Sequence, residues 1–247
     1  MGNQRDPLGD RMKGYERVTQ AVLPRRTYTI LRLDGRAFHA VTSRCERPFD
    51  VGFANYMNYI AKGLCHEVQG SVFAYVQSDE ISILMQDFES IDTQPWFGGN
   101  IQKIVSVAAS FAGSMIYDCR FPGAHFDARV FTIPDQVEVA NYFIWRQRDA
   151  TRNSILMAAQ KALGHRACQG LNTKQLQEKM WQEKQINWND YPQQFKQGRR
   201  IFKVDYSTGL TEGGLRSEWV AAPAERFTCE PGGLLATAIP PMPRLET

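Results

Sequence analysis

Apolar and polar positions along the chain follow two rhythms, a period near 3.6 and an alternation or short apolar run, which mark helices and strands respectively. Residues 9–22 have the first rhythm and predict a short amphipathic helix before Pro24. Thr27–Leu33 (TYTILRL) is β-branched and apolar, so it predicts a buried strand that ends at Asp34-Gly35. Asp50 is an N-cap for a helix running to about Val68, with Phe53, Met57, Ile60, Ala61 and Leu64 on one side and Gly70 closing it. Val72–Val76 and Ile81–Met85 are two apolar runs separated only by Gln77-Ser78-Asp79-Glu80, the spacing of a tight hairpin. A second core helix spans residues 100–117, a strand Phe126–Ile133, and further helices 136–163 and Lys174–Lys184.

That order predicts an α+β fold, a ferredoxin-like antiparallel sheet with helices on one face. The expected division is a catalytic domain over residues 1–135, a helical C-terminal part over 136–220 packed on it, and a loose tail over 221–247. The tail reading rests on Pro231-Gly232-Gly233 and Pro240-Pro241. No repeat or low-complexity tract interrupts the pattern.

Composition narrows the class without choosing the function. At 247 residues, 43% hydrophobic and 22% charged, the chain is ordinary globular material. Its formal net charge of +3 permits a polyanionic partner. The Arg and Lys clusters at Arg25–Arg26, Arg146–Arg152 and Lys196–Lys203 matter more to such a partner than the total does. Cys45, Cys65, Cys119, Cys168 and Cys229 are odd in number and form no CxxC pair, which argues against a disulfide framework or zinc ribbon and for a reducing cytoplasm. The polar start lacks a signal-peptide core, and Asp6 stands where a myristoylation signal needs Ser or Thr. The longest apolar window, Val105–Tyr117, is too short to cross a bilayer. No membrane partner is expected.

The chemistry converges on two carboxylates. If the first strand pairs with the hairpin, Asp34 at its end and Asp79 at the hairpin tip project at one edge of the sheet. Magnesium takes oxygen ligands, commonly one or two carboxylates plus phosphate oxygens. Two such ions about 3.5–4 Å apart serve in-line displacement at phosphorus. Gly35 lets backbone approach phosphates and offers its carbonyl to a metal. Arg36, Ala37, Phe38 and His39 would present backbone N–H groups to a triphosphate, with Ser78 adding a hydroxyl. The bland counterparts are that Asp-Gly after a strand and Ser-Asp-Glu at a hairpin tip are both common turns.

The string Leu31-Arg32-Leu33-Asp34-Gly35-Arg36-Ala37-Phe38-His39, then Arg47-Pro48-Phe49-Asp50, then Tyr75-Val76-Gln77-Ser78-Asp79-Glu80, resembles the tRNA-histidine guanylyltransferase family and its bacterial and archaeal guanylyltransferase-like relatives. Phe126-Asp127-Ala128-Arg129-Val130, Tyr142 with Trp145-Arg146-Gln147-Arg148-Asp149, Ile186-Asn187-Trp188-Asn189 and Phe195-Lys196-Gln197-Gly198 extend the resemblance over roughly residues 11–203. It implies a polymerase- or cyclase-like palm, two Mg2+ ions, and 3′-to-5′ growth of tRNA. Asp34, Gly35 and Asp79 would bind the metals, and Asp34 to His39 with Ser78 and Asp79 would hold the nucleotide. Glu80 would be a nearby acid of the catalytic group. Arg47 stands where the family usually has Lys, Asp50 would help bind nucleotide, and Lys174 and Asn187 fall in blocks that contact phosphate in the family.

Thr151 replaces a histidine of the eukaryotic enzymes' His-Ile-Asn-Asn element, where this chain reads Thr151-Arg152-Asn153-Ser154. The bacterial and archaeal relatives also lack the element, so the expected activity is template-dependent repair of 5′-truncated tRNA. ATP or GTP would activate a 5′-monophosphate, which the 3′-hydroxyl of an incoming nucleoside triphosphate then attacks. The expected partners are the 5′ end and acceptor stem of tRNA and a second, third and fourth copy of the chain, as a dimer of dimers. Arg146, Arg148, Arg152 and Arg166 are candidates to grip the tRNA backbone. Trp181, Trp188 and Tyr191 read as core or interface residues before base-stacking ones, and His66, His125 and His165 show no metal-ligand spacing. The rival activities are addition of a single G, a palm-fold nucleotide cyclase, and a non-catalytic module with an RRM-like sheet, although the basic Gly-aromatic strings of such a module are absent.

Overall fold

The computed structural model describes residues 6–117, 121, 123–207, 215–230 and 233–243. Met1, Cys119 and the Pro231-Gly232 pair lie outside them. In chain order the elements are α1 (Pro7–Val18), β1 (Tyr28–Arg36), α2 (Phe38–Val41), α3 (Val51–Glu67), β2 (Ser71–Gln77), β3 (Glu80–Met85), α4 (Ile101–Tyr117), β4 (His125–Ile133) and α5 (Gln136–Leu163). Then follow α6 (Thr173–Lys184), α7 (Gln193–Lys196), β5 (Arg199–Ser207), β6 (Leu215–Pro223) and α8 (Leu234–Ala238). The strands form one six-stranded sheet in the order β4-β1-β3-β2-β5-β6, antiparallel at every pairing.

Strand alternation sorts the core into two layers. Leu31, Leu33, Ala74, Val76, Ile81 and Ile83 face α3 and α4. Tyr28, Ile30, Phe73, Tyr75 and Leu84 face α5 and the C-terminal segment. The central strand β3 is buried at every position. The helices supply matching stripes: Met57, Ile60, Ala61 and Leu64 on α3, and Ile104, Ala108, Ala112 and Ile116 on α4, whose small residues let it sit close. The α3–α4 layer is the expected helical face of the palm. The C-terminal extension covers the opposite face, so the sheet is enclosed on both sides.

Helix α5 is long, about 42 Å for its 28 residues. Asp135 caps it by accepting from Glu138 N at 2.9 Å. Its first half seals the sheet. Its second half, with Ile155, Ala158 and Ala159, forms a separate small core with Leu176 and Met180 of α6. No helix among the described residues is long and apolar enough to cross a membrane.

Three expectations change. Strand β1 runs past Asp34-Gly35 to Arg36, because β4 keeps pairing with it as far as Arg36 opposite His125. The part from 199 to 220, expected to be helical, contributes β5 and β6, which lengthen the sheet beside β2. The tail from 221, expected to be loose, is packed over its described residues. Ala224, Phe227, Leu235 and Ile239 are buried, Gln147 donates to Glu225 O at 2.7 Å and accepts from Phe227 N at 2.7 Å, and Tyr28 Oη donates to Pro240 O at 2.5 Å. Pro and Gly punctuate this segment, but its apolar residues fall where they meet the sheet. Helix α1, by contrast, buries none of its residues.

Gly70, at the turn between α3 and β2, has φ +81, and a Cβ there would lie 2.3 Å from Gln86 O. Both facts demand glycine. We expect Gly70→Ala to destabilise the protein by about 1–3 kcal/mol, read as a lower urea midpoint at unchanged slope.

Candidate functional site

The β1–β3 register sets Asp34 opposite Glu80, and the β1–β4 register sets it opposite Asp127. The hairpin closes through Ser78 and Asp79, with Ser78 at φ 46. This turn aims the Asp79 side chain back over the end of β1. A Cβ on Gly35 would fall 2.7 Å from Asp79 Oδ2 and 2.4 Å from the Phe38 ring. Only glycine lets the carboxylate rest against this backbone.

Asp34 and Asp79 both line the cleft at this edge of the sheet, and each carries an electrostatic cost there. The Asp79 carboxyl is pushed up to about 6, chiefly by burial and also by the charge of Asp34, while its own backbone N–H and the Ser78 hydroxyl pull the other way. Burial also raises Asp34, opposed by Arg32 and reinforced by Glu80 and Asp127. Among the described residues no three or more His, Cys, Asp or Glu side chains close around a common point. The donors are two mutually repelling carboxylates beside an open cleft. That set suits a hard cation that keeps much of its shell for water and phosphate.

Glu80, placed by sequence with the catalytic acids, has both oxygens engaged. Arg146 donates from Nε to Oε1 at 2.7 Å and from Nη2 to Oε2 at 2.5 Å. Arg32 donates to Oε2 at 2.7 Å and reaches Asp34 Oδ2 at 3.4 Å. Glu80 and Arg146 are each 5% exposed. Arg146 also pairs with Asp149 at 3.0 Å. This chain ties α5 to β3 and β1 beside Asp34, and Glu80 is linked to Asp34 through Arg32. Arg146 is thereby spent inside the protein and is no surface grip for RNA. Arg148 and Arg166 are exposed, and Arg152 is exposed but paired with Asp149.

A cleft of about 330 Å3 opens at this end of the sheet. Asp34, Arg47, Asp50, Ser78, Asp79 and Glu80 line it, as do Arg146, expected as an RNA contact, and Arg32, Asp149 and Arg199, which the sequence did not single out as site residues. Asp50 caps α3, accepting from Phe53 N at 2.7 Å and from Glu46 N at 2.9 Å. Those backbone bonds, that from Phe53 foremost, hold its carboxyl below the ordinary value. Arg36, Ala37 and His39 are exposed on the turn after β1. The Phe38 ring is core, 5.1 Å from Phe126, so only its backbone is free to serve a ligand.

Lys174 and Asn187 do not line this cleft. Lys174 is exposed on α6, and Asn187 borders a separate hollow with Trp181 and Trp188, accepting from Asn189 N at 3.0 Å. Trp188 donates to Ser154 Oγ at 3.0 Å and Tyr191 packs on Phe49, whereas Trp181 is exposed. Arg32 carried a legible signal, a charge on the same strand face as Asp34 within an otherwise apolar run. Arg199 carried none, because its burial beside the cleft depends on a strand pairing that the sequence does not display.

Two outcomes follow from these charges. Arg146→Met leaves Glu80 buried with one partner fewer, and we expect a loss of about 3–5 kcal/mol in denaturant unfolding. In metal-free buffer the raised Asp79 means that the folded state holds its proton more tightly than the unfolded chain. Its contribution is complete below the ordinary carboxyl value of 3.8 and is lost as pH rises through about 6. Asp79→Asn should therefore match wild type near the acid end of that window and exceed it in stability above the window. Parallel unfolding curves across that range would refute this if they stayed superimposed.

A profile described as tRNAHis guanylyltransferase (Thg1) matches residues 9–134. A solved bacterial tRNA(His) guanylyltransferase-like protein in complex with ATP is 39% identical, covering 95% of this chain and 99% of its own, with a TM-score of 0.84. Another such bacterial protein, in complex with GTP, is 43% identical over 87% of this chain and 91% of its own, with a TM-score of 0.76. The tRNA(His) guanylyltransferase of Debaryomyces hansenii is 30% identical across 73% of this chain and 76% of that protein. The chain belongs to the tRNAHis guanylyltransferase family, whose members are nucleotidyltransferases.

Proposed function

We propose that the protein adds nucleotides in the 3′-to-5′ direction to the 5′ end of truncated tRNA, choosing each by the opposing base. The observation that carries nucleotidyl transfer is the meeting of Asp34 and Asp79 against Gly35 at the cleft. Asp34, Asp79 and the Gly35 carbonyl would hold Mg2+, which supplies charge neutralisation at the reacting phosphates and at the leaving pyrophosphate. The residues do the rest by placement. Arg32 and Glu80 fix the Asp34 carboxylate. The Asp34–His39 turn and Ser78 face the triphosphate. The cleft accepts ATP or GTP, the nucleotides with which the two bacterial relatives are described.

Templated repair is favoured over single-G addition by Thr151. Its hydroxyl donates to Lys196 O at 3.1 Å, an internal packing bond at the position where the eukaryotic enzymes carry histidine. We also propose the tRNA acceptor stem as partner and a homotetrameric assembly. The latter would cover the exposed apolar residues Leu8, Met12, Tyr15 and Val18 of α1.

The test uses a tRNA lacking its first 5′ nucleotide, with Mg2+, ATP and all four nucleoside triphosphates, read at single-nucleotide resolution. We expect extension by the template-matched nucleotide, abolished in Asp34→Ala and Asp79→Ala. Addition of G alone, whatever the opposing base, would replace repair by single-G addition. Triphosphate turnover without any extension would replace both by a cyclase-like activity.

A further inference from the structure

Arg199 begins β5 and is 3% exposed. Its Nε donates to Asn58 Oδ1 at 2.8 Å. Its Nη2 is buried without a hydrogen-bond partner, and among the described residues no carboxylate lies within ion-pair distance of it. Arg32 and Arg146, by contrast, each have carboxylate partners in the Arg32–Glu80–Arg146–Asp149 chain, although Arg32 too leaves its Nε without a hydrogen bond. A buried guanidinium without a counter-ion is costly. Burial pulls its pKa down to about 10, with only the Tyr75 hydroxyl acting in the other direction. Yet Arg199 lines the same cleft as Asp34 and Asp79. The protein holds an uncompensated cation at a site that receives polyanions.

The register places this cation relative to the aspartates. Asp34 pairs with Glu80, Glu80 with Gln77, and Val76 beside Gln77 with Arg199. The two residues are thus nearly level along their strands. They stand three strands apart, about 14 Å at ~4.8 Å per strand. They also project from opposite faces: Arg199 meets Asn58 of α3, and Asp34 neighbours Glu80, which is bound to Arg146 of α5. One phosphate group cannot touch both.

We infer that Arg199 is a phosphate-binding residue of this cleft, receiving a phosphate different from the one nearest Asp34. The guanidinium fork suits a phosphate oxyanion. The donor of that phosphate is either the 5′ end of the RNA or a second nucleoside triphosphate. This inference rests on the nucleotidyl-transfer reading of the cleft.

The experiment measures binding of three probes to the full chain in Mg2+: ATP, a tRNA with a 5′-monophosphate, and the same tRNA with a 5′-hydroxyl. Wild type, Arg199→Met and Arg199→Lys are compared, together with their ligand-free melting midpoints. We expect Arg199→Met to lose about 10- to 100-fold in affinity for a phosphate-bearing probe, with Arg199→Lys in between. Loss of the preference for the 5′-monophosphate assigns the phosphate to RNA, and loss of ATP affinity assigns it to the nucleotide. Removing an unpaired buried charge should leave the ligand-free midpoint unchanged or raised. If Arg199→Met keeps both the 5′-monophosphate preference and the ATP affinity of wild type, the inference is wrong. It is equally wrong if the midpoint falls and any binding loss follows that fall and is restored in full by Arg199→Lys. A wild-type protein that binds neither ATP nor tRNA would instead sink the nucleotidyl-transfer reading itself.

Discussion

The Glu80 carboxylate, gripped by Arg146 on one side and Arg32 on the other, is the contact on which this end of the molecule depends. It joins the central strand, its neighbour and the long C-terminal helix at one buried point. Such a triad gains little net stability over an apolar equivalent, because desolvation offsets most of the attraction. What it provides is position. Arg32 lies between Glu80 and Asp34, so the direction of the first aspartate is inherited from a pair that solvent does not reach.

Asp79 is positioned by a different means. Its place is set by a two-residue turn and by the absence of a side chain on Gly35. The two acids are thus approached from two independent constructions, one electrostatic and one steric, and their mutual repulsion is left for a cation to relieve. The same division recurs across the cleft. The α5 side carries arginines paired to carboxylates, whereas on the α3 side the buried Arg199 guanidinium has no carboxylate partner among the described residues and leaves Nη2 without a hydrogen bond.

Much of this was legible in the sequence because local signals and tertiary demands coincide. Asp50 reads as a helix cap and is one. The apolar runs flanking Ser78-Asp79 pair as a hairpin, and the Asp-Gly and Ser-Asp-Glu motifs come together at one sheet edge. What stayed hidden depends on long-range pairing. Residues 199–207 (RRIFKVDYS) mix charged and apolar side chains without a clean strand alternation and meet the rest of the palm sheet through Ala74–Val76 of β2. The segment after Pro223 looks like a tail because Pro and Gly punctuate it, yet Phe227, Leu235 and Ile239 are held by side chains far away in sequence. Arg146 carried the opposite error: in a basic helix stretch it looks like surface, and only the tertiary fold reveals the buried acid that claims it.

Helix α5 has neither glycine nor proline across its 28 residues, and kinks in helices ordinarily arise at such residues. One end is clamped under the sheet, the middle carries Arg146 and Asp149, and the far end is built into the α6 core. The helix is therefore a rigid beam with its fulcrum at the active cleft. A load applied at the outer helical core, some two turns and more from Arg146, has no hinge in which to dissipate.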